Sequence, residues 1–387
     1  MELYILDEMF RRVEVIDNFE SLIWTEREKS TGDFDLVVHS TQEMRRLFSD
    51  GTHLAVNESD YVMIVENIEN KKDSEGRPVL TITGRSLEQV LDNRIATEGL
   101  QGLTDDPKWR ITGTPGNIAR TIFQKICVEG ILSPNDIIPF MTPGTMYPAG
   151  NILESNIVIT VELEVGTVYA RIKELCDAYG LGFRLTRNLD TSQLYFEIYS
   201  GSDRTSKQSI LPPVIFSPDL DNMADVTELT SIATHKNVAY VLSKNGAEIV
   251  YAPGVDPSIS GFNRRVLVVK ADDVADPAGP GLTTILRQKG IEALAQAQRT
   301  YALDGEVTRY GTHKYRKDYF LGDLVEMRNS DGATNYMRVT EQILACDSEG
   351  ERSYPTLAVE TVIEPGTWLG WDPAQDWDEA PMEWAEA

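Results

Sequence analysis

The side chains that could carry out chemistry are few and lie far apart along the chain. The four histidines are His39, His53, His235 and His313. No two of them stand four residues apart on a predicted helix, and no His-Glu-x-x-His pattern occurs, so the sequence predicts no catalytic zinc site. We interpret each histidine as an ordinary buried or solvated side chain.

One pair of carboxylates has a spacing that could support general acid and base catalysis. Asp33 and Asp35 flank Phe34, so on a strand their side chains share one face. The alternation continues, because Leu36 and Val38 fall on the same side as Phe34. The pattern therefore favours a half-buried strand whose solvent-facing side carries the two aspartates.

The remaining motifs predict no catalytic residue, no cofactor and no metal ion. Gly113-Thr-Pro-Gly116 precedes a predicted helix, but the Lys-Ser/Thr of a phosphate-binding loop does not follow. Asp105-Asp106 and Asp272-Asp273 are isolated acidic pairs in predicted loops. Three cysteines, at positions 127, 176 and 346, are odd in number and widely spaced, which indicates small apolar side chains and not disulfides or zinc ligands.

The elements that must position these residues include an internal repeat. Tyr61-Val-Met-Ile-Val-Glu-Asn-Ile68 and Asp73-Ser-Glu-Gly76 return as Tyr336-Met-Arg-Val-Thr-Glu-Gln-Ile343 and Asp347-Ser-Glu-Gly350. In each copy an alternating strand enters a polar glycine turn, which predicts a long β-hairpin used twice. The preceding strands also correspond, from Gly51 in one copy and Gly322 in the other. We interpret this as two copies of one small β-barrel; the alternative is coincidence between common turn sequences.

Around this repeat the sequence predicts an α+β fold that is mainly β, with two related small β-barrels, an inserted α+β domain and a second helical insertion. The predicted parts are a first barrel at 1–95, an α+β domain at 96–210, a discontinuous second barrel at 211–252 and 303–365, an inserted strand and helix at 253–302, and a C-terminal tail at 366–387. Helices are expected from Thr114-Pro115 to Gly130, from Gly166-Thr167 to Gly180, and from Leu282 to Ala302. A short helix with Ser86 as its N-cap is expected to place Glu88 on its solvent-facing side.

Composition limits the possible partners. The chain has 387 residues, a formal net charge of -25 and 41% hydrophobic residues. A polyanion repels the phosphate backbone, so nucleic-acid binding is not expected. The same charge suits a surface along which DNA passes without adhering, or simply a soluble protein. No apolar stretch approaches the roughly 20 residues of a membrane span, and the start lacks the pattern of a secretory signal, so synthesis in the cytoplasm is expected.

The tail at 366–387 differs from the rest of the chain. It holds four of the six tryptophans, six acidic residues and no basic ones. The tryptophans are Trp368, Trp371, Trp377 and Trp384. Because exposed tryptophan is typical of protein interfaces, we interpret these four as contacts to a partner or a neighbouring subunit. The alternative is that the tail folds back on its own chain.

Several motifs together resemble a known family. Asp17-Asn-Phe-Glu-Ser-Leu-Ile-Trp24, Gly32-Asp-Phe-Asp-Leu36, Gly84-Arg-Ser-Leu-Glu88 and Leu91-Asp-Asn-Arg94 look like the opening of a siphophage minor tail protein family related to baseplate hub proteins. Tyr319-Phe-Leu-Gly-Asp-Leu-Val325 and Arg338-Val-Thr-Glu341 are similar to the second barrel of those hubs. The resemblance spans residues 1 to about 365 and leaves the tail out.

The resemblance implies a structural role at the virion tail tip. Such hubs are similar in having two barrels per chain, so that a homotrimer presents six barrels to a sixfold tail tube. The expected partners are the tail tube or distal tail protein above and tip or fibre proteins below, with DNA passing through without specific binding. Two alternatives belong to other classes: a tail protein that binds a host-surface saccharide through aromatic side chains, and a tail-associated cell-wall hydrolase.

Overall fold

The computed structural model describes residues 1–72, 76–99, 109–143, 158–163, 165–188, 193–271, 280–297, 299–307, 312–328 and 334–359. The chain forms two compact units. The first consists of Met1–Thr227 and Leu303–Ala358, and the second includes Glu228–Ala302. Within the described residues, no helix is both long enough and apolar enough to cross a bilayer.

The strands dominate the architecture. In chain order they are β1 (Leu3–Leu6), β2 (Arg12–Ile16), β3 (Ser21–Arg27), β4 (Asp33–His39), β5 (His53–Val56), β6 (Met63–Lys72), β7 (Pro78–Ser86), β8 (Ile95–Ala96), β9 (Trp109–Gly113), β10 (Met141–Pro143), β11 (Ile159–Leu163), β12 (Gly166–Thr167), β13 (Gly182–Arg187), β14 (Leu194–Tyr199), β15 (Ile215–Phe216), β16 (Met223–Ser231), β17 (Val238–Ser243), β18 (Gly246–Tyr251), β19 (Val266–Lys270), β20 (Thr300–Val307), β21 (Leu324–Arg328), β22 (Thr334–Asp347) and β23 (Gly350–Val359). The α-helices are α1 (Met44–Leu47), α2 (Pro115–Phe123), α3 (Val168–Tyr179) and α4 (Pro280–Gln296). The predicted α+β, mainly β class is confirmed.

Both copies of the repeat lie in one main sheet. Its thirteen strands run in the order β16-β20-β23-β22-β3-β4-β7-β6-β5-β1-β2, with β21 beside β22 and β15 beside β21. Strands β3 and β4 separate the two hairpins. Among the described residues, the strand pairing forms a single sheet through both copies and does not close either copy on itself.

The predicted hairpins themselves are confirmed. In the first copy β5, β6 and β7 pair antiparallel in sequence order, and in the second copy β21, β22 and β23 are neighbours in the same order. In each copy, one glycine with positive φ precedes the first strand and another lies in the hairpin turn. They are Gly51 (φ 79°) and Gly76 (φ 83°) in the first, and Gly322 (φ 84°) and Gly350 (φ 115°) in the second. Residues that carry a side chain rarely adopt a positive φ, so these glycines fix where each hairpin starts and where it turns.

A small α+β module within the first unit carries α2 and α3. The hydroxyl of Thr114 accepts from the Asn117 N–H and that of Thr167 from the Ala170 N–H, so each threonine caps its helix. The two helices pack on the sheet β10-β14-β13, where Phe123 stacks on Phe196 with ring centroids 4.2 Å apart. The fully buried apolar side chains on the helices include Ile118, Ile122, Phe123, Val168, Ile172 and Cys176.

The second unit contains a three-stranded sheet, β18-β17-β19, with α4 on one face. Leu282, Leu286 and Leu294 of α4 pack with residues of this sheet in one apolar cluster. The predicted helix was too long, since α4 ends at Gln296 and Thr300–Val307 form strand β20. Thr300 and Tyr301 favour extended structure, and pairing within the main sheet fixes that conformation.

The prediction that Glu88 faces solvent is wrong. Residues Leu87–Asn93 form a 3-10 helix, not an α-helix. At three residues per turn Glu88 shares a face with Leu91, and both side chains are buried. Ser86 also differs from expectation, because its hydroxyl accepts from the Gly32 N–H at 2.7 Å and makes no helix-capping bond.

Candidate functional site

The two copies of the repeat share side-chain contacts as well as topology. Glu66 and Glu341 occupy the same position in the repeat, and each pairs with an arginine. Arg85 binds Glu66 through two N–H···O bonds of 2.8 Å, and Arg27 donates to Glu341 at 2.6 Å. In the next position, Asn67 donates to the Thr83 hydroxyl at 3.4 Å and Gln342 to the Ser353 hydroxyl at 2.6 Å. The duplication thus extends to the paired glutamate and to the following amide that bonds a hydroxyl, whereas the arginines differ, because Arg85 lies on β7 of the first hairpin and Arg27 on β3, outside the second copy.

The ion pair in the second copy also joins that copy to the strands between the hairpins. Arg27 on β3 contacts Glu341 on β22 and donates to Asp33 on β4 at 2.7 Å. Its guanidinium additionally donates to the Thr31 carbonyl at 2.9 Å. The Arg27 side chain is 27% exposed, so these bonds are partly protected from water. Arg27 therefore fixes β22 against the β3–β4 pair.

An open polar cleft lies on the solvent side of this sheet. Its volume is about 570 Å³, and the lining residues include Ile23, Asp33, Asp35, Glu66, Asn67 and Arg85. Phe34, Leu36 and Val38 point the other way and are buried, which confirms the predicted half-buried strand. Asp33 and Glu66 are each held by an arginine, an arrangement typical of a solvated ionic surface.

Two of the four histidines have structural contacts. His53 packs on Phe10 with ring centroids 4.9 Å apart, and burial lowers its pKa. Nε2 of His313 accepts from the Ile215 N–H at 3.3 Å, and burial lowers the pKa of this ring as well. Within the ranges that the structure covers, no three His, Cys, Asp or Glu side chains are placed to hold a metal ion.

Three buried glutamates form the most unusual electrostatic feature of the first unit. Glu26, Glu28 and Glu88 are each 1% exposed. Glu88 accepts from the Leu185 N–H on β13 at 2.6 Å, and the Phe183 N–H on the same strand donates to the Glu28 carbonyl at 3.1 Å. These bonds attach the α+β module to β3 and to the 3-10 helix.

Burial controls the ionisation of two of these glutamates, Glu26 and Glu88. It raises the pKa of Glu88 to about 7, and the charge of Glu26 adds to the same effect. Burial likewise raises the pKa of Glu26, against the hydrogen bonds from Ser59 and Tyr315. One oxygen of Glu26 and one of Glu88 have no hydrogen-bond partner among the described residues. The arrangement keeps a proton on Glu88 at mildly acidic pH, inside the packed junction and away from the cleft.

Sequence reasoning missed these glutamates. On β3, Thr25 and Glu26 are both buried, so the alternation that predicted the neighbouring strand is interrupted here. Nothing in the residue types distinguishes Glu26 or Glu28 from solvent-facing glutamates. The predicted contacts Trp368, Trp371, Trp377 and Trp384 lie outside the described residues, as do Asp105-Asp106 and Asp272-Asp273.

Comparisons with known proteins give consistent matches. The model of the family described as Siphovirus ReqiPepy6 Gp37-like protein matches residues 2–357. A tail protein from Neisseria meningitidis MC58 is similar in fold, with a TM-score of 0.59 and 13% identity over 95% of this chain and 98% of that one. The 43 kDa tail protein of prophage MuSo2 from Shewanella oneidensis has a TM-score of 0.55 and 13% identity over 92% and 98% of the two chains. No curated protein sequence matches.

Proposed function

The chain belongs to the Siphovirus ReqiPepy6 Gp37-like protein family, a family of siphovirus tail proteins, and from this membership we propose that it is the hub of a phage tail tip. In this proposal three copies form a ring in which two small barrels per chain give six similar docking positions. The ring joins the tail tube, or the distal tail protein, to tip or fibre proteins below it. The protein is made in the host cytoplasm and resides at the tail tip of the virion.

The observation that carries the proposal is the doubled structural unit. Strands β5–β7 and β21–β23 have the same order, the same positive-φ glycines and, at the same position, a glutamate that pairs with an arginine. A closed threefold ring of such chains presents a sixfold pattern to a tube, because each chain supplies two equivalent surfaces. The two solved structures of similar fold are themselves described as tail proteins, which agrees with this role.

The charge of the chain supports a DNA-conducting ring. At a net charge of -25 the protein repels the phosphate backbone, so DNA slides through without adhering. In this proposal the four tail tryptophans contact a neighbouring protein. The polypeptide acts through assembly, without catalytic residues of its own.

Electron microscopy of the intact particle with this chain located tests the proposal. The expected result is three copies around the tail axis, between the tube and the distal tip. A peripheral position on a fibre, or a copy number that is not a multiple of three, would refute it. Zymography on purified cell wall and a saccharide-binding assay cover the two rival roles, and activity in either one, lost on a single substitution, would replace the hub assignment.

A further inference from the structure

The second unit has a sheet face that described residues cover only in part: Val238 at one end of β17 is buried, whereas Leu242, Ile249 and Val268 are exposed. Helix α4 packs on one face of β18-β17-β19 through Ala239, Val241 and Val250. The opposite face is made by the alternate residues of the three strands. We define the open face as Tyr240, Leu242, Ala247, Ile249, Tyr251 and Val268.

The strand register brings these side chains together. Tyr240 pairs with Ile249 on one side and with Val268 on the other, so the three lie in a row across the sheet. Leu242 pairs with Ala247 in the next row. Ile249 is 47% exposed, Val268 58% and Leu242 42%. Apolar side chains this exposed and this close together mark an interaction surface.

The open face carries positive charge at its margin, in a chain whose net charge is strongly negative. The Arg264 guanidinium lies 5.9 Å from the ring centroid of Tyr240 and 5.7 Å from that of Tyr251, and donates to the Tyr240 hydroxyl at 3.1 Å. Lys270 is exposed at the end of β19, and Phe262 is fully exposed in the loop before it. An acidic and aromatic partner complements this surface, through cation–π contacts and ion pairs.

The chain itself contains a segment of that chemistry. Residues 366–387 hold four tryptophans and six acidic residues, with no basic residue. Indole rings pack on aliphatic side chains and on guanidinium planes, while the carboxylates suit Arg264 and Lys270.

From this complementarity we infer that the segment 366–387 of a neighbouring copy docks on the open face of the second unit. This is a head-to-tail contact, in which every copy offers one segment and one face. Such contacts close into a ring when the rotation between copies permits it. The inference rests on the proposed function in one respect, namely that copies of the chain assemble with one another.

Two full-length variants test the contact. The tail variant replaces Trp368, Trp371, Trp377 and Trp384 with serine. The face variant carries Ile249→Glu and Val268→Glu, which place negative charge where the acidic segment docks. Val13→Glu on β2 is a matched control, because Val13 is 57% exposed and lies in the first unit. Circular dichroism confirms that each variant is folded.

The first readout is binding of a fluorescently labelled peptide of residues 366–387. The tail variant is the receptor, since its open face cannot be occupied by a native segment. We expect saturable binding, weakened at least tenfold when the two face substitutions are added and unchanged by Val13→Glu. Equal binding to the receptor with and without the face substitutions, or no binding to either, would overturn the inference.

The second readout is complementation. Neither variant should self-assemble, but a mixture should form a one-to-one heterodimer in analytical ultracentrifugation, because one intact segment and one intact face remain. A wild type that stays monomeric, while the peptide binds and the mixed variants associate, would mean that the segment docks on its own chain, and would overturn the neighbouring-copy contact. Trimers formed equally well by the wild type and both variants would refute the inference and leave the hub proposal standing.

Discussion

Replacing Glu88 with glutamine should remove a pH dependence from the stability of the first unit. Burial raises the pKa of Glu88 from 4.5 to about 7 in the folded protein. Between these values the folded state holds a proton that the unfolded state has lost. The stability contributed by this group is therefore complete below pH 4.5, falls as the pH rises, and is gone above about pH 7.

The magnitude follows from the same shift. Each pKa unit corresponds to about 1.4 kcal/mol, so the free energy of unfolding should fall by about 3 kcal/mol across this range. In melting temperature this is on the order of 5–10 °C. Glutamine stays neutral and keeps a carbonyl oxygen to accept from the Leu185 N–H, so Glu88→Gln should lack this decline. The NH₂ group of the new glutamine takes the place of a Glu88 oxygen that has no hydrogen-bond partner. Burying this unpaired group should lower the free energy of unfolding by about 1–3 kcal/mol, by the same amount at every pH.

The assay is urea denaturation of the wild type and Glu88→Gln at pH 5, 6, 7 and 8, followed by circular dichroism. The diagnostic quantity is the difference in unfolding free energy between the two proteins as a function of pH. Glu8→Gln is the control, since Glu8 is exposed, and its difference should stay constant. Parallel curves for the wild type and Glu88→Gln would show that Glu88 does not titrate in this range, and the argument from burial would be wrong.

Three further changes test other parts of the structure. Gly290→Ala in α4 should destabilise the second unit by about 1–3 kcal/mol, because the new Cβ would lie 2.6 Å from the Cγ2 of Val250. This clash should outweigh the better helix propensity of alanine, and a higher melting temperature would contradict the prediction. Arg27→Met should lower the stability of the first unit by about 1–2 kcal/mol by leaving two partly exposed carboxylates without their shared cation. Arg11→Met, at a more exposed pair, should cost less than about 1 kcal/mol in the same denaturation assay. In the folded protein only Cys346 should react with a thiol reagent. Cys127 and Cys176 are buried, and burial also raises the pKa values of their thiols. Labelling of all three thiols before unfolding would show that this packing is wrong.

Local patterns predicted much of the fold. The period-two alternation around Phe34 gave both the strand and its buried side, since a strand that covers a core on one face must alternate. Threonine before a helical stripe and glycine after it located α3, whose N-cap is Thr167 and whose C-cap, Gly180, has φ 64°. The repeated glycines likewise predicted two hairpins, because few other residues adopt their backbone conformation.

Predictions failed where neighbours outside the local pattern decide the conformation. The seven residues after Ser86 form a 3-10 helix where an α-helix was expected. With three residues per turn, Glu88 lies on the buried side of this helix and not on its solvent-facing side. Thr300 and Tyr301 continue the apolar spacing of a helix in sequence, but their residue types favour extended structure and they lie in strand β20.

The sequence alone determined the mainly β class, the repeat, the acidic charge and the aromatic tail, because each depends on residue type and spacing. Tertiary structure alone decided that both hairpins share one sheet, that Glu26, Glu28 and Glu88 are buried, and that part of one sheet face is exposed among the described residues of the second unit. These features arise from contacts between segments distant in the chain, and no local spacing encodes them.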